Sequence, residues 1–187
     1  MTTVAAKPST TITLKNLQAA YNGESNACAR YAAFAQKADE EGFHRAASLF
    51  RAASRAEQIH AANHAAVIKQ MGGTPQTHIE TPVVRSTAEN LNVAIAGEEY
   101  ERDLMYPDFI REAEGQNNTA AVRTFSYALE AETEHARLYT EALTHLDQMK
   151  SKTAYYVCAN CGYTVEKLAF ERCPVCHHPK EKFEEIS

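Results

Sequence analysis

Four stretches of the chain repeat apolar residues at alternating intervals of three and four, the spacing that lines one face of a helix. The first predicted helix runs from about Leu14 to Glu41, with Leu17, Tyr21, Glu24, Cys28, Tyr31 and Ala35 on one stripe, and Gly42 ends it. The second runs from about Arg45 to Met71, with Leu49, Ala53, Glu57, His60, His64, Val67 and Met71 in phase, and Gly72 and Gly73 close it. The third covers about Ser86 to Glu114, with Leu91, Ala94, Glu98, Glu101 and Met105 in phase and Gly115 at its end. Pro107 lies inside it and lacks a backbone donor, so a kink or a broken turn is expected there. The fourth covers about Asn118 to Lys150, with Ala121, Phe125, Ala128, Glu132, His135, Tyr139, Ala142 and Leu146 in phase.

Between the second and third helices, Thr74 to about Arg85 holds Pro75 and Pro82 and has no helical period. Two short turns and one long connection predict an all-α four-helix bundle of the ferritin-like kind, with one long crossover. From about Thr153 the pattern changes. A short β-type run, Ala154 to Val157, is followed by Cys, Gly and Pro. This predicts a tail over 1–13, a bundle over 14–150 and a separate metal-stapled module over 153–187, too small to fold on its own apolar core.

The charge pattern narrows the partners. The net charge is -5, with Lys and Arg scattered, which argues against nucleic acid and against an anionic membrane surface. No run of about 18 apolar residues is present, so no spanning helix is expected. Met1 to Lys15 shows no apolar signal-peptide core, and a cytoplasmic protein is expected. Four of the five cysteines form two Cys-x-x-Cys pairs, which in such a chain reads as a metal site rather than a disulfide framework.

The chemistry stands out because it breaks the apolar stripes. Glu24, Glu57 with His60, Glu98 with Glu101, and Glu132 with His135 all fall on core-facing positions. An unpaired buried charge costs several kcal/mol, so isolated core carboxylates are normally absent. A lone Glu-x-x-His is most often a surface pair. Two of them, both in phase with the core and joined by Glu from the other two helices, make the donor pattern of di-iron and di-manganese carboxylate bundles. Oxygen donors with some imidazole suit iron or manganese. Five carboxylates against two divalent cations leave the site near neutral. His64 is read as a satisfied core or edge histidine and Cys28 as core packing. His44, His78 and His145 are read as surface or helix-end residues, and Glu99, Glu130 and Glu134 as solvated.

Cys158-x-x-Cys161 and Cys173-x-x-Cys176 predict a tetrahedral four-thiolate site for zinc or a single iron. The cysteines alone do not decide between these metals. His177 and His178 follow the last cysteine and are expected to be exposed.

At these residues the chain resembles the rubrerythrins. The matching words are Tyr21-Asn22-Gly23-Glu24-Ser25 with Arg30-Tyr31, Ala56-Glu57-Gln58-Ile59-His60, Ala96-Gly97-Glu98-Glu99-Tyr100-Glu101 with Met105-Tyr106-Pro107, and Ala131-Glu132-Thr133-Glu134-His135. Cys161-Gly162-Tyr163 and Cys173-Pro174-Val175-Cys176 look like rubredoxin. The resemblance implies two irons in the bundle and one iron on the four cysteines. It implies that Glu57 and Glu132 bridge, that Glu24 and Glu98 are terminal, and that Glu101 exchanges with His60 between oxidation states. Tyr31 and Tyr106 match tyrosines that hydrogen-bond ligand carboxylates. The implied activity is a peroxidase that reduces hydrogen peroxide to water in oxidative-stress defence.

The electron donor outside the chain is expected to be rubredoxin or an NAD(P)H-dependent reductase. The chain itself has no Gly-x-Gly-x-x-Gly word. Iron oxidation and storage with dioxygen is the competing reading, and an attached redox module argues against it. A zinc-braced scaffold leaves the buried ionisable groups unexplained. A helix rising about 1.5 Å per residue from His135 to Lys150 sets the two sites of one chain about 22 Å apart or more, unless the module folds sharply back. Electron transfer between subunits of a head-to-tail homodimer is therefore expected, with domain swapping permitted by the long connection.

Overall fold

The computed structural model describes residues 11–187. Five α-helices build the larger part: α1 Ile12–Glu40, α2 His44–Gln70, α3 Thr87–Tyr100, α4 Tyr106–Gly115 and α5 Thr119–Thr144. A π-helical segment, Glu101–Met105, joins α3 to α4, so these two form the third arm of a four-helix bundle. The irregular crossover between α2 and α3 is tied to α1: Asn22 Oδ1 accepts from His78 N at 3.0 Å, and Asn26 Oδ1 accepts from Glu80 N at 2.8 Å. Among the described residues no helix is long and apolar enough to cross a membrane.

Three boundaries differ from expectation. Residues 1–10 of the expected tail lie outside the described residues, and Ile12 and Thr13 are helical because Thr11 caps α1, its Oγ1 accepting from Leu14 N at 3.2 Å. Gly115 stays inside α4. The turn is made at Asn117, whose φ of 54° suits asparagine better than most residues. The fourth predicted helix stops at Thr144 rather than Lys150. There the chain bends through a 3₁₀ turn, Leu146–Gln148, which buries Met149 and lets its carbonyl accept from Arg45 N at 2.9 Å. That bond satisfies one of the free N–H groups in the first turn of α2.

The apolar core lies in two clusters. Leu17, Ile68, Tyr106 and Phe125 belong to one, and Tyr31, Phe34, Phe50, Leu138 and Tyr139 to the other. On α1, Glu24 falls between Ala20 of the first cluster and Ala27 of the second; on α5, Glu132 and His135 fall between Ala128 and Leu138. The ionisable groups thus form a layer sealed above and below by hydrocarbon.

The C-terminal module is a three-stranded antiparallel sheet in the order β2-β1-β3, from β1 Tyr155–Cys158, β2 Thr164–Val165 and β3 Phe183–Ile186. It folds back onto its own bundle. Tyr155 and Val157 of β1 join the second apolar cluster. Arg55 grips Glu184 with two hydrogen bonds of 2.7 and 2.9 Å, Arg45 pairs with Glu166 at 2.5 Å, and Asn63 donates to Asn160 O at 2.9 Å. This corrects the expected in-chain separation. The early end of α5 returns the module to the ionisable layer, so the distance argument for transfer between subunits does not hold.

Candidate metal centres

Each arm of the bundle contributes by phase. Glu24 comes from α1, Glu57 and His60 from α2, Glu98 from α3, and Glu132 and His135 from α5; all are at most 1 % exposed. Their donor atoms fall into two sets, each with all atoms within 4.8 Å of one another: Glu24, Glu57, His60 and Glu132, and Glu57, Glu98, Glu132 and His135. Glu57 and Glu132 belong to both, the geometry of two carboxylates between two cations. Glu101, expected as a seventh donor, is in neither set. It sits half-buried at the start of the π segment, while His60 is turned into the cluster.

The donors fit a metal pair on three grounds. Five carboxylate oxygens, on Glu24, Glu57, Glu98 and Glu132, are buried without a well-aligned hydrogen bond, as is His135 Nδ1, and the nearest groups to the two Glu132 oxygens are the His60 and His135 rings. Buried polar atoms are rarely left so. Both imidazoles are also set up as ligands. His60 Nε2 donates to the Cys161 carbonyl at 3.0 Å, leaving Nδ1 at 2.8 Å from Glu57 and 2.9 Å from Glu132. Thr164 Oγ1 donates to Gly162 O, so it accepts from His135 Nε2 at 3.0 Å, and His135 Nδ1 faces Glu132 at 2.8 Å. A ring held by one N–H and open at the other nitrogen is the usual arrangement of a metal-binding histidine.

Electrostatics gives the third ground. Burial, then Glu101 and the other cluster carboxylates, hold the Glu24 carboxyl well above the ordinary range, and burial, then Glu98 and Glu132, do the same for Glu101. Burial and then Glu132 push Glu98 up to about 8. Burial alone would lower His60, but Glu132 and Glu57 outweigh it and raise it to about 10. His135 also stands well above its usual value against the pull of burial, raised by Glu132, Glu57 and Glu98. Burial opposes ionisation of Glu132, yet His60 and His135 hold it low. Cations held here would supply the positive charge that these crowded carboxylates call for.

Two tyrosines orient carboxylates. Tyr31 donates to Glu98 Oε1 at 2.6 Å, and Tyr106 donates to Glu24 Oε1. Tyr139 was not singled out from the sequence, although it lies one turn past His135. Its hydroxyl is buried without a partner, and burial and then Glu98 raise its pKa well above the ordinary range. His64 is a fully buried core histidine, as expected, held down to about 3 by burial and then by His60. Cys28 is only half-buried, with its sulfur 3.5 Å from Ser54 Oγ.

The four cysteine sulfurs also lie within 4.8 Å of one another. Cys158 and Cys176 are 3.5 Å apart at sulfur, and Cys161 and Cys173 3.6 Å. A tetrahedron with metal–sulfur bonds of about 2.3 Å has edges of about 3.8 Å, so the knuckle is close to closed around an ion. His177 and His178 are exposed, as are His44, His78 and His145.

Residues 15–143 match the family model for rubrerythrin, and residues 156–184 match that for the rubrerythrin rubredoxin-like domain. Nigerythrin of Nitratidesulfovibrio vulgaris is 39% identical over 91% of this chain and 85% of its own. Rubrerythrin-2 of Clostridium acetobutylicum is 37% identical over 90% of this chain and 93% of its own. A structure of fully reduced, all-ferrous nigerythrin superposes with a TM-score of 0.87 at 37% identity, covering 99% of this chain and 91% of that one. A bacterioferritin from Desulfovibrio desulfuricans, 23% identical with a TM-score of 0.68 over 74% of this chain and 82% of its own, shares the bundle fold. A di-iron-type carboxylate–histidine site and a rubredoxin-like four-cysteine knuckle are both present in the fold. With both segments matched in order and both donor sets assembled, the chain belongs to the rubrerythrin family.

Proposed function

We propose that this protein is a non-haem di-iron peroxidase that reduces hydrogen peroxide to water with electrons from its own four-thiolate iron centre. The observation that carries the reading is the junction between the two centres. The His60 ring, one nitrogen in the bundle cluster, donates its other N–H to the carbonyl of the knuckle residue Cys161. A protein that stores iron by oxidising it with dioxygen draws electrons from that iron and gains nothing from such a junction.

Peroxide reduction takes two electrons and two protons and releases two waters. Two ferrous ions, when bound, supply both electrons and polarise both oxygens of the substrate. Glu57 and Glu132 are assigned to bridge, Glu24 and Glu98 to terminal positions, and His60 and His135 to one ion each through Nδ1. Glu101 is assigned as the carboxylate that exchanges with His60. Its place on a π turn supports this, because such turns are frequent where a helix carries a functional residue. Tyr31 and Tyr106 hold Glu98 and Glu24 by one oxygen each and leave the second free for the cluster. A single iron would be held by Cys158, Cys161, Cys173 and Cys176. The outside donor is a soluble electron-transfer protein such as rubredoxin, or an NAD(P)H-dependent reductase, and the setting is the cytoplasm.

The test is Cys158→Ser. Turnover with an outside donor is expected to stop, while a chemically reduced bundle still consumes one equivalent of peroxide. Loss of both, or full turnover in the variant, overturns the assignment.

A further inference from the structure

The Glu24 side of the cluster has a support that the Glu98 side lacks. Tyr31, the tyrosine on Glu98, makes no second hydrogen bond through its hydroxyl among the described residues. Tyr106 does. Its hydroxyl lies 3.2 Å from His64 Nε2, and the other ring nitrogen, Nδ1, lies 3.0 Å from Thr124 Oγ1. Each member of this row comes from a different helix: Glu24 from α1, His64 from α2, Tyr106 from α4 and Thr124 from α5.

The directions of these bonds follow from one another. Tyr106 has a single O–H, which points to Glu24 Oε1. Its oxygen can then only accept from His64, so the proton of the neutral ring is on Nε2. Nδ1 is therefore an acceptor, and the Thr124 hydroxyl donates to it. His64 Nε2 is 3.7 Å from Glu24 Oε1, too far for a direct bond, so it reaches the carboxylate only through the phenol. The Phe125 ring packs against both His64 and Tyr106, with centroids 5.4 and 5.9 Å away, and limits the swing of either.

We propose that His64 is a positioning residue: with its tautomer fixed by Tyr106 and Nδ1 accepting from Thr124, it holds the Tyr106 hydroxyl on Glu24 and so fixes which oxygen of Glu24 is free to bind metal. The proposal rests on Glu24 being a ligand, as assigned above, but none of its readouts uses turnover. A buried histidine that merely fills space predicts neither a single tautomer nor dependence on Tyr106.

The first measurement is a long-range nitrogen–proton correlation spectrum of the full chain loaded with zinc, which is diamagnetic. His64 should show the Nε2–H form, and Tyr106→Phe, which removes the acceptor that demands it, should weaken that preference while Thr124→Val keeps it. The second is the rate at which the bundle gives up its metal to a chelator. Loss of the row's hydrogen bond is expected to speed release about fivefold to tenfold in His64→Leu, with His64→Gln, which keeps a donor near the Nε2 position, close to wild type. In a Tyr106→Phe background, His64→Leu should add nothing, because the bond it removes is already gone. An Nδ1–H tautomer in the wild type, or full additivity with Tyr106→Phe, overturns the proposal. If His64→Leu does not fold, the wild-type spectrum still decides it, and metal release from His64→Gln as fast as from Tyr106→Phe also overturns the proposal.

Discussion

Replacing Gly162 by alanine drives a methyl group into the ring of His60. A Cβ built at Gly162 lies 2.2 Å from His60 Nε2 and 2.8 Å from Cδ2, and ordinary contact begins near 3.4 Å, so a gap of about 1.2 Å must open. The imidazole is packed and hydrogen-bonded inside the bundle, so the module has to move. That motion takes the 3.0 Å bond from His60 Nε2 to Cys161 O beyond hydrogen-bonding distance. A lost bond and an orphaned buried N–H together cost about 2–3 kcal/mol, roughly a 30- to 150-fold shift toward the undocked module. A separate cost of about 1–2 kcal/mol falls on the module alone, because Gly162 has a φ of +79° that alanine adopts poorly. The iron–thiolate colour followed during thermal melting reads that second cost. The first is read by mixing fully reduced protein with peroxide and timing the return of the knuckle's visible bands. Their return should slow at least tenfold, while oxidation of the bundle irons keeps its rate. Gly162→Asn tolerates the backbone angle better but still carries a Cβ, so it should be slow too. Wild-type knuckle reoxidation in both variants would refute the contact with His60 as the electron route.

Two further outcomes follow from the cluster. Glu57→Ala combined with Glu132→Ala removes both residues shared by the two donor sets, so metal analysis should find the bundle metals gone and the knuckle metal kept; full bundle occupancy would exclude the assigned bridges. For the metal-free protein, Glu98 rises from an ordinary 4.5 to about 8 and His60 from 6.5 to about 10, so the folded chain binds more protons than the unfolded one across that span. Stability is then highest near the lower end and falls as pH rises from about 4.5 to about 10, by about 1.4 kcal/mol per pH unit for each extra bound proton. The lowered Glu132 acts with the opposite sign below about 4.5 and the lowered His64 between about 3 and 6.5, where the raised Glu24, Glu98 and Glu101 together outweigh it. Urea melts in chelator that show stability rising between about pH 5 and 8 contradict this sign.

The bundle and its donors were legible because buried charge is rare and phase is simple. Glu24, Glu57, Glu98 and Glu132 interrupt apolar stripes at helical spacing, and nothing but the period is needed to bring them together. Pro107 signalled a break in the third arm. The break is a π segment, and a five-residue turn has no mark in a pattern read at a period of 3.6. That Glu101, at the start of this segment, lies outside both donor sets was not legible either. The docking of the module was not legible at all. Gly162 and Thr164 look like ordinary knuckle residues, and Cys161 takes part through a backbone carbonyl that every residue carries. His64 fits the reading of a satisfied core histidine, but its place behind Tyr106 depends on how α4 crosses α2, which no single helix records.

The β1 residues Tyr155 and Val157, 1 % and 0 % exposed, are part of the bundle's own apolar cluster. The cysteine module is therefore not a detachable cassette. A chain cut after Thr144 leaves part of that cluster facing water, a sticky patch of the kind that drives association. The knuckle's metal acts as a folding ligand for a unit of this size, and through the shared cluster its binding energy reaches the helices as well. Metal loading of the knuckle thus bears on the whole polypeptide: a copy without its knuckle metal is also one whose helical bundle is easier to open.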